Sequence, residues 1–89
     1  MKVLVLNCGS SSIKFQLFNM PEEKVLIKGY YERIGTEEAF LTIKIKGEKE
    51  KFNIPALNHE VGIDVILEKL LDPKYDVLKS LDEISAVGH

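Results

Sequence analysis

The sequence predicts an α+β fold: an antiparallel β-meander and a second hairpin, then one main helix and the start of a further strand. Three observations carry that reading. Apolar and polar residues alternate with period 2 through much of the first half of the chain, one stretch near residues 58–71 has helical period, and Gly, Pro, Asn and Ser fall between the runs. Eighty-nine residues bury about 60–65% of the unfolded chain's surface, enough for one small core and too little for a two-lobed protein.

Each element has its own signal. Val3-Leu4-Val5-Leu6 is a continuous apolar run and reads as a first strand buried on both faces. Ile13, Phe15 and Leu17 alternate with Lys14 and Gln16 as a second strand, ending near Asn19-Met20-Pro21. A third strand runs from about Lys24 to Arg33, with Gly29 as a bulge or a close-packing point. After the turn residues Gly35-Thr36-Glu37-Glu38, Leu41, Ile43 and Ile45 alternate with Thr42, Lys44 and Lys46 as a fourth. Gly47-Glu48 reverses the chain into a fifth strand around Phe52 to Ile54. A two-residue turn there opposes Lys44 to Lys51 and Lys46 to Lys49, which is unfavourable, so that register stays open.

Asn58 is a good N-cap for a helix to about Leu71, whose apolar residues Ile63, Ile66, Leu67, Leu70 and Leu71 fall at i, i+3, i+4, i+7 and i+8. Asp72-Pro73 stops it. Ser80 and Glu83 make a capping box before Ala86-Val87 resumes as a strand.

The segment that carries chemistry is Asn7-Cys8-Gly9-Ser10-Ser11-Ser12-Ile13-Lys14, a glycine and three hydroxyls set between two strands. A small loop there can turn several backbone N–H groups toward one point; serine hydroxyls add donors, and Lys14 adds charge. It is neither a Walker loop nor a G-x-G-x-x-G turn. The same residues also make an ordinary hairpin turn with Lys14 on a solvated face. Register bears on the choice. In an even-length turn centred on Ser10 and Ser11, Gly9 pairs with Ser12 and Asn7 lies opposite Lys14. Leu4, Leu6 and Cys8 then share a face with Ile13, Phe15 and Leu17, and Asn7, Lys14 and Gln16 gather on the other. An odd-length loop scatters the polar groups, so the binary pattern favours the even register.

Composition excludes several classes. Twelve basic residues balance 14 acidic ones for a net charge of -2, so nothing suggests a nucleic-acid partner, and Lys44, Lys46, Lys49 and Lys51 read as the solvated side of a hairpin. The one cysteine allows neither an internal disulfide nor a metal cluster; Cys8 reads as a small core-facing residue in a reducing compartment. No apolar stretch approaches the roughly 18 residues of a membrane span and Met1-Lys2 leads straight into a strand, which points to a cytoplasmic protein with no membrane partner. His59, in the first turn of the helix, reads as a surface or packing residue, since a cation gains nothing there from the helix dipole. Asp64, Glu68, Asp72, Asp82 and Glu83 read as solubilising carboxylates; no general base is assigned, and the sequence assigns no role to His89.

The run Val-Leu-Asn-x-Gly-Ser-Ser-Ser-x-Lys ending at Lys14 resembles the first signature of the acetate kinases, within the wider class of acetate and sugar kinases, actin and the heat-shock chaperone ATPases. Glu32-Arg33-Ile34-Gly35, His59-Glu60 and the stretch from Ser80 to Gly88-His89 look like the same enzymes' opening segment, so the similarity spans essentially the whole chain. Its specific part is Asn7 to Lys14. Cys8 departs from the small residue, such as alanine, expected there.

The resemblance implies the fold of a partial ribonuclease-H-like lobe of the α/β class, residues 1–89 forming the N-terminal part of the first lobe. It implies truncation as well, because in that family a Gly-His pair like Gly88-His89 runs on into Arg-Val-Val-His-Gly-Gly. The expected reaction of the full-length enzyme is phosphoryl transfer from ATP to acetate, giving acetyl phosphate and ADP with Mg2+. By resemblance Lys14, with Gly9, Ser10, Ser11 and Ser12, binds the ATP phosphates and Asn7 serves the magnesium. The substrate-binding arginines, catalytic aspartate and adenine pocket lie beyond the chain, so the 89-residue chain alone is expected to be inactive. The full-length enzyme is expected to be a homodimer. Butyrate or propionate kinases share the hairpin, and a non-catalytic phosphate-binding module is the alternative of another class.

Overall fold

Six strands and one helix account for most of residues 1–88, which the computed structural model describes. The strands are β1 (Lys2–Cys8), β2 (Ile13–Asn19), β3 (Lys24–Glu32), β4 (Phe40–Ile45), β5 (Glu48–Phe52) and β6 (Ile84–Gly88), with α1 (His59–Leu70) between β5 and β6 and a 3₁₀ turn at Leu81–Glu83. They form one sheet in the order β5-β4-β3-β2-β1-β6. Every neighbouring pair is antiparallel except β1 with β6, which the long connection through α1 makes parallel. The α+β meander, hairpin, helix and final strand expected from the sequence are all present. His89 lies outside the described residues.

One face of the sheet carries the core. Leu4, Leu6, Ile13, Phe15, Leu17, Ile27, Tyr31, Leu41 and Ile43 point to that face, and Ile66 and Leu70 of α1 with Tyr75, Val77 and Leu78 of the following segment close over it. Each such side chain is worth roughly 1.5–3 kcal/mol when fully buried, and the meander and helix have no other layer to pack on. The Tyr31 hydroxyl stays satisfied inside by donating to the Ile54 carbonyl. The opposite face has no covering layer among the described residues, so Val3 and Val5 are only half-buried and β1 is not buried on both faces.

Gly29 is the close-packing point. A Cβ there would lie 2.2 Å from the Thr42 carbonyl and 2.8 Å from the Phe15 ring, which rests across the glycine. The bulge between β2 and β3 falls instead at Leu17/Phe18. On β4 the alternation breaks at Thr42, which is buried although it sits on the outer face.

The second hairpin turns one residue earlier than expected. Lys46 (φ 51) and Gly47 (φ 79) are both left-handed, the geometry of a type I′ turn, so Ile45 pairs with Glu48 and Lys44 with Lys49. The fifth strand therefore begins at Glu48 and ends at Phe52. Lysines still oppose one another, and Lys44 lies over the Tyr30 ring at 5.5 Å while Lys51 lies over Phe40 at 4.3 Å, so these two are packed as well as solvated.

The N-cap of α1 is as expected: the Asn58 side chain accepts from the Val61 amide at 2.9 Å. Its most buried stripe is Gly62, Ile66 and Leu70, with Ile63, Leu67 and Leu71 at its flank. The rotation follows from Gly62, whose missing side chain lets the helix sit on Ile13 and Ile34.

Candidate functional site

The hairpin between β1 and β2 has the even register. Asn7 pairs with Lys14 and Cys8 with Ile13, and the Gly9 amide donates to the Ser12 carbonyl at 2.8 Å. Side chains alternate along each strand, so Asn7 and Lys14 share the outer face while Leu6 and Phe15 point into the core. Ser12 joins them. Its hydroxyl occupies the space beside Gly9, where a Cβ would come within 2.7 Å of Oγ, so glycine is required by close approach at this position. Ser10 and Ser11 form the exposed tip, and Cys8, expected to face the core, is exposed at the strand's end although its partner Ile13 is buried.

The carbonyls of Gly9, Ser11 and Ser12 are engaged, whereas three of the loop's amides are not. Ser12 O accepts from Gly9 N–H, Ser11 O accepts from Ile34 N–H at 2.9 Å, and Gly9 O accepts from Nε2 of His59 at 2.7 Å. Among the described residues the amides of Ser10, Ser11 and Ser12 have no backbone acceptor. Three consecutive free N–H groups at a small loop are the elements of an anion cradle. His59, read from the sequence as a surface or packing residue, thus touches the loop across 50 positions of sequence.

Beside the loop the outer face forms an open concavity of about 320 Å³, lined by Asn7, Lys14, Gln16, Lys28, Tyr30 and Lys44 among others. It is cationic. Lys14, Lys28 and Lys44 have no carboxylate partner among the described residues, whose ion pairs are Lys2–Glu83, Arg33–Glu38 and Lys74–Glu50. The Tyr30 phenol is held below its ordinary value of 10, first by the Thr42 hydroxyl and then by the charges of Lys49 and Lys44. The loop serines lie outside this concavity, so Asn7 and Lys14 are where loop and hollow meet. Sequence reasoning missed Lys28 and Tyr30; extending the period-2 register from Lys14 and Gln16 across to β3 would have found them, since Lys14 pairs with Tyr30 and Gln16 with Lys28.

Away from the loop, Glu83 departs from its solubilising reading. Its carboxylate accepts from the Lys79 amide, pairs with Lys2 at 3.0 Å and accepts from the Ser80 amide, and these contacts hold its pKa down at about 2. It ties β1 to the segment leading into β6.

The described residues contain no cluster of three His, Cys, Asp or Glu side chains that could hold a metal ion, and no helix long and apolar enough to cross a membrane. Residues 2–89 match the sequence profile of the Acetokinase family. The chain is 56% identical over 89 residues to the acetate kinase of Finegoldia magna, covering 100% of this chain and 23% of that protein. Against the acetate kinase of Clostridium kluyveri it is 51% identical over 89 residues, with 100% and 22% covered. Among solved structures it is similar to Porphyromonas gingivalis acetate kinase, with a TM-score of 0.95 and 45% identity over 99% of this chain and 22% of that one. A propionate kinase from Francisella tularensis aligns with a TM-score of 0.82 and 31% identity over 99% and 21%. The chain thus spans less than a quarter of the length of these relatives.

Proposed function

The chain belongs to the acetokinase family, and from that premise we propose that it is the opening segment of an ATP-dependent acetate kinase and supplies that enzyme's phosphate-binding hairpin. The reaction is transfer of the γ-phosphoryl group of ATP to an acetate oxygen, giving acetyl phosphate and ADP. One observation carries the local part of the proposal: Asn7 and Lys14 face each other beside a loop whose Ser10–Ser12 amides have no backbone acceptor among the described residues.

Phosphoryl transfer asks a protein mainly for positioning and charge neutralisation. The Ser10, Ser11 and Ser12 amides and hydroxyls donate to phosphate oxygens, and the Lys14 ammonium offsets their charge. Gly9 keeps the approach open by giving its side-chain space to Ser12 Oγ. Magnesium fits the donor set in a limited way. Asn7 offers one exposed amide oxygen, and Mg2+ takes few protein ligands, keeping waters and phosphate oxygens for the rest. When bound, the ion neutralises phosphate charge; Asn7 is the residue of this chain that would hold it.

Acetate is proposed over propionate because the curated relatives of highest identity quoted above carry the acetate kinase name, while the propionate kinase aligns at lower identity. The remaining expectations, a cytoplasmic homodimer as the full-length enzyme and no turnover by residues 1–89 alone, belong to the same proposal. The test is acyl phosphate formation from ATP by the full-length enzyme carrying this segment, with acetate, propionate and butyrate compared by kcat/KM. Acetate should be preferred. Preference for a longer acid reassigns the substrate, and absence of ATP-dependent acyl phosphate with all three leaves the hairpin as a non-catalytic module.

A further inference from the structure

In a closed two-residue turn the Ser12 amide would donate to the Gly9 carbonyl, and the loop would spend that amide on itself. Here only the reverse bond forms, from Gly9 N–H to Ser12 O, and the Gly9 carbonyl is taken by His59 Nε2 at 2.7 Å. We propose that His59 is a positioning residue for the phosphate loop, which it holds open by occupying the Gly9 carbonyl so that the Ser12 amide stays available to an anion. The inference rests on the reading that this loop binds the ATP phosphates.

The geometry suits that task. His59 is the first residue of α1, directly after the N-cap Asn58, and Gly62 seats the same helix turn on Ile13 and Ile34, so the ring projects from a fixed point. Ile34 fixes the neighbouring Ser11 carbonyl at 2.9 Å, so two carbonyls of the loop are bound to elements outside it. A carbonyl oxygen left free at that place would either close the turn or repel a phosphate oxygen. Because the acceptor is a carbonyl, Nε2 carries the proton and acts as a donor, and the role needs a donor at that reach and no charge.

The test uses the full-length enzyme carrying this segment. His59→Ala should raise KM for ATP about fivefold, equivalent to about 1 kcal/mol at 1.4 kcal/mol per tenfold, with KM for acetate within twofold of the parent. His59→Gln restores an N–H donor at similar reach and should return KM for ATP to within twofold. Two results would overturn the proposal: unchanged KM for ATP in His59→Ala, or equal impairment of the Ala and Gln variants. Lys14→Ala separates this from the parent reading, because an unchanged KM for ATP there overturns the phosphate site itself and the His59 role with it.

Discussion

Asn7 and Lys14 are directly opposed on β1 and β2, both exposed on the face away from the core, with Gly9 and Ser12 bonded two steps further toward the loop, beyond the Cys8–Ile13 pair. Their neighbours in sequence, Leu6 and Phe15, are buried on the other face. The same alternation that builds the core therefore assembles the polar site, and a change to Lys14 should act on function while leaving packing alone.

Lys14→Ala in the full-length enzyme should lower kcat/KM for ATP by more than about tenfold, since a charge-assisted phosphate contact is worth about 1.5–3 kcal/mol. The thermal midpoint should not move beyond about 1 °C, because surface substitutions usually stay within about 0.5 kcal/mol. Steady-state kinetics beside calorimetric melting checks both halves, and unchanged turnover or a collapsed melting curve contradicts the assignment.

Gly29→Ala should do the reverse. The added methyl meets the Thr42 carbonyl at 2.2 Å and the Phe15 ring at 2.8 Å, and backbone on one side with core on the other leaves little room to yield. Overpacking of this kind costs about 1–3 kcal/mol, which in a domain of this size lowers Tm by about 4–8 °C for each kcal/mol. Melting curves of the 89-residue chain test it, and a Tm within 1 °C of the parent contradicts the close approach.

Glu83 gives a pH dependence of definite sign. Its carboxyl falls from an ordinary value of 4.5 to about 2 on folding, through the Lys79 amide, Lys2 and the Ser80 amide. A lowered folded pKa means stability fully present above 4.5 and lost as pH falls from 4.5 toward 2. In urea titrations Glu83→Gln should show a lower midpoint than the parent at pH 7, and the gap should close across that acid window. A gap that persists at pH 2 contradicts the assignment.

How much of this was legible in the sequence depends on the range of each interaction. The hairpin register was legible because one wrong step moves every apolar side chain of β2 to the wrong face. The helix and its Asn58 cap were legible because cap and stripe are local. The exposure of Cys8 and the half-burial of Val3 and Val5 were not, since they depend on what packs over each face of the sheet and not on the alternation along β1. Lys2 with Glu83, 81 positions apart, and His59 with Gly9, 50 apart, leave no local pattern at either end. The turn at Lys46-Gly47 lay one residue from the expected place because a lysine is an uncommon left-handed residue, and only its positive φ reveals the type I′ geometry.

The most direct test of the central claim is a 15N–1H amide titration of this chain with ATP at low ionic strength. Shifts should concentrate at Ser10, Ser11 and Ser12 and extend to Asn7 and Lys14, with a Kd on the order of millimolar, about -4 kcal/mol, that weakens with salt and is lost in Lys14→Ala. Saturating ATP that leaves the three serine amides unmoved, or that shifts only the residues around Lys28, Lys44 and Lys49, would contradict a phosphate-binding hairpin.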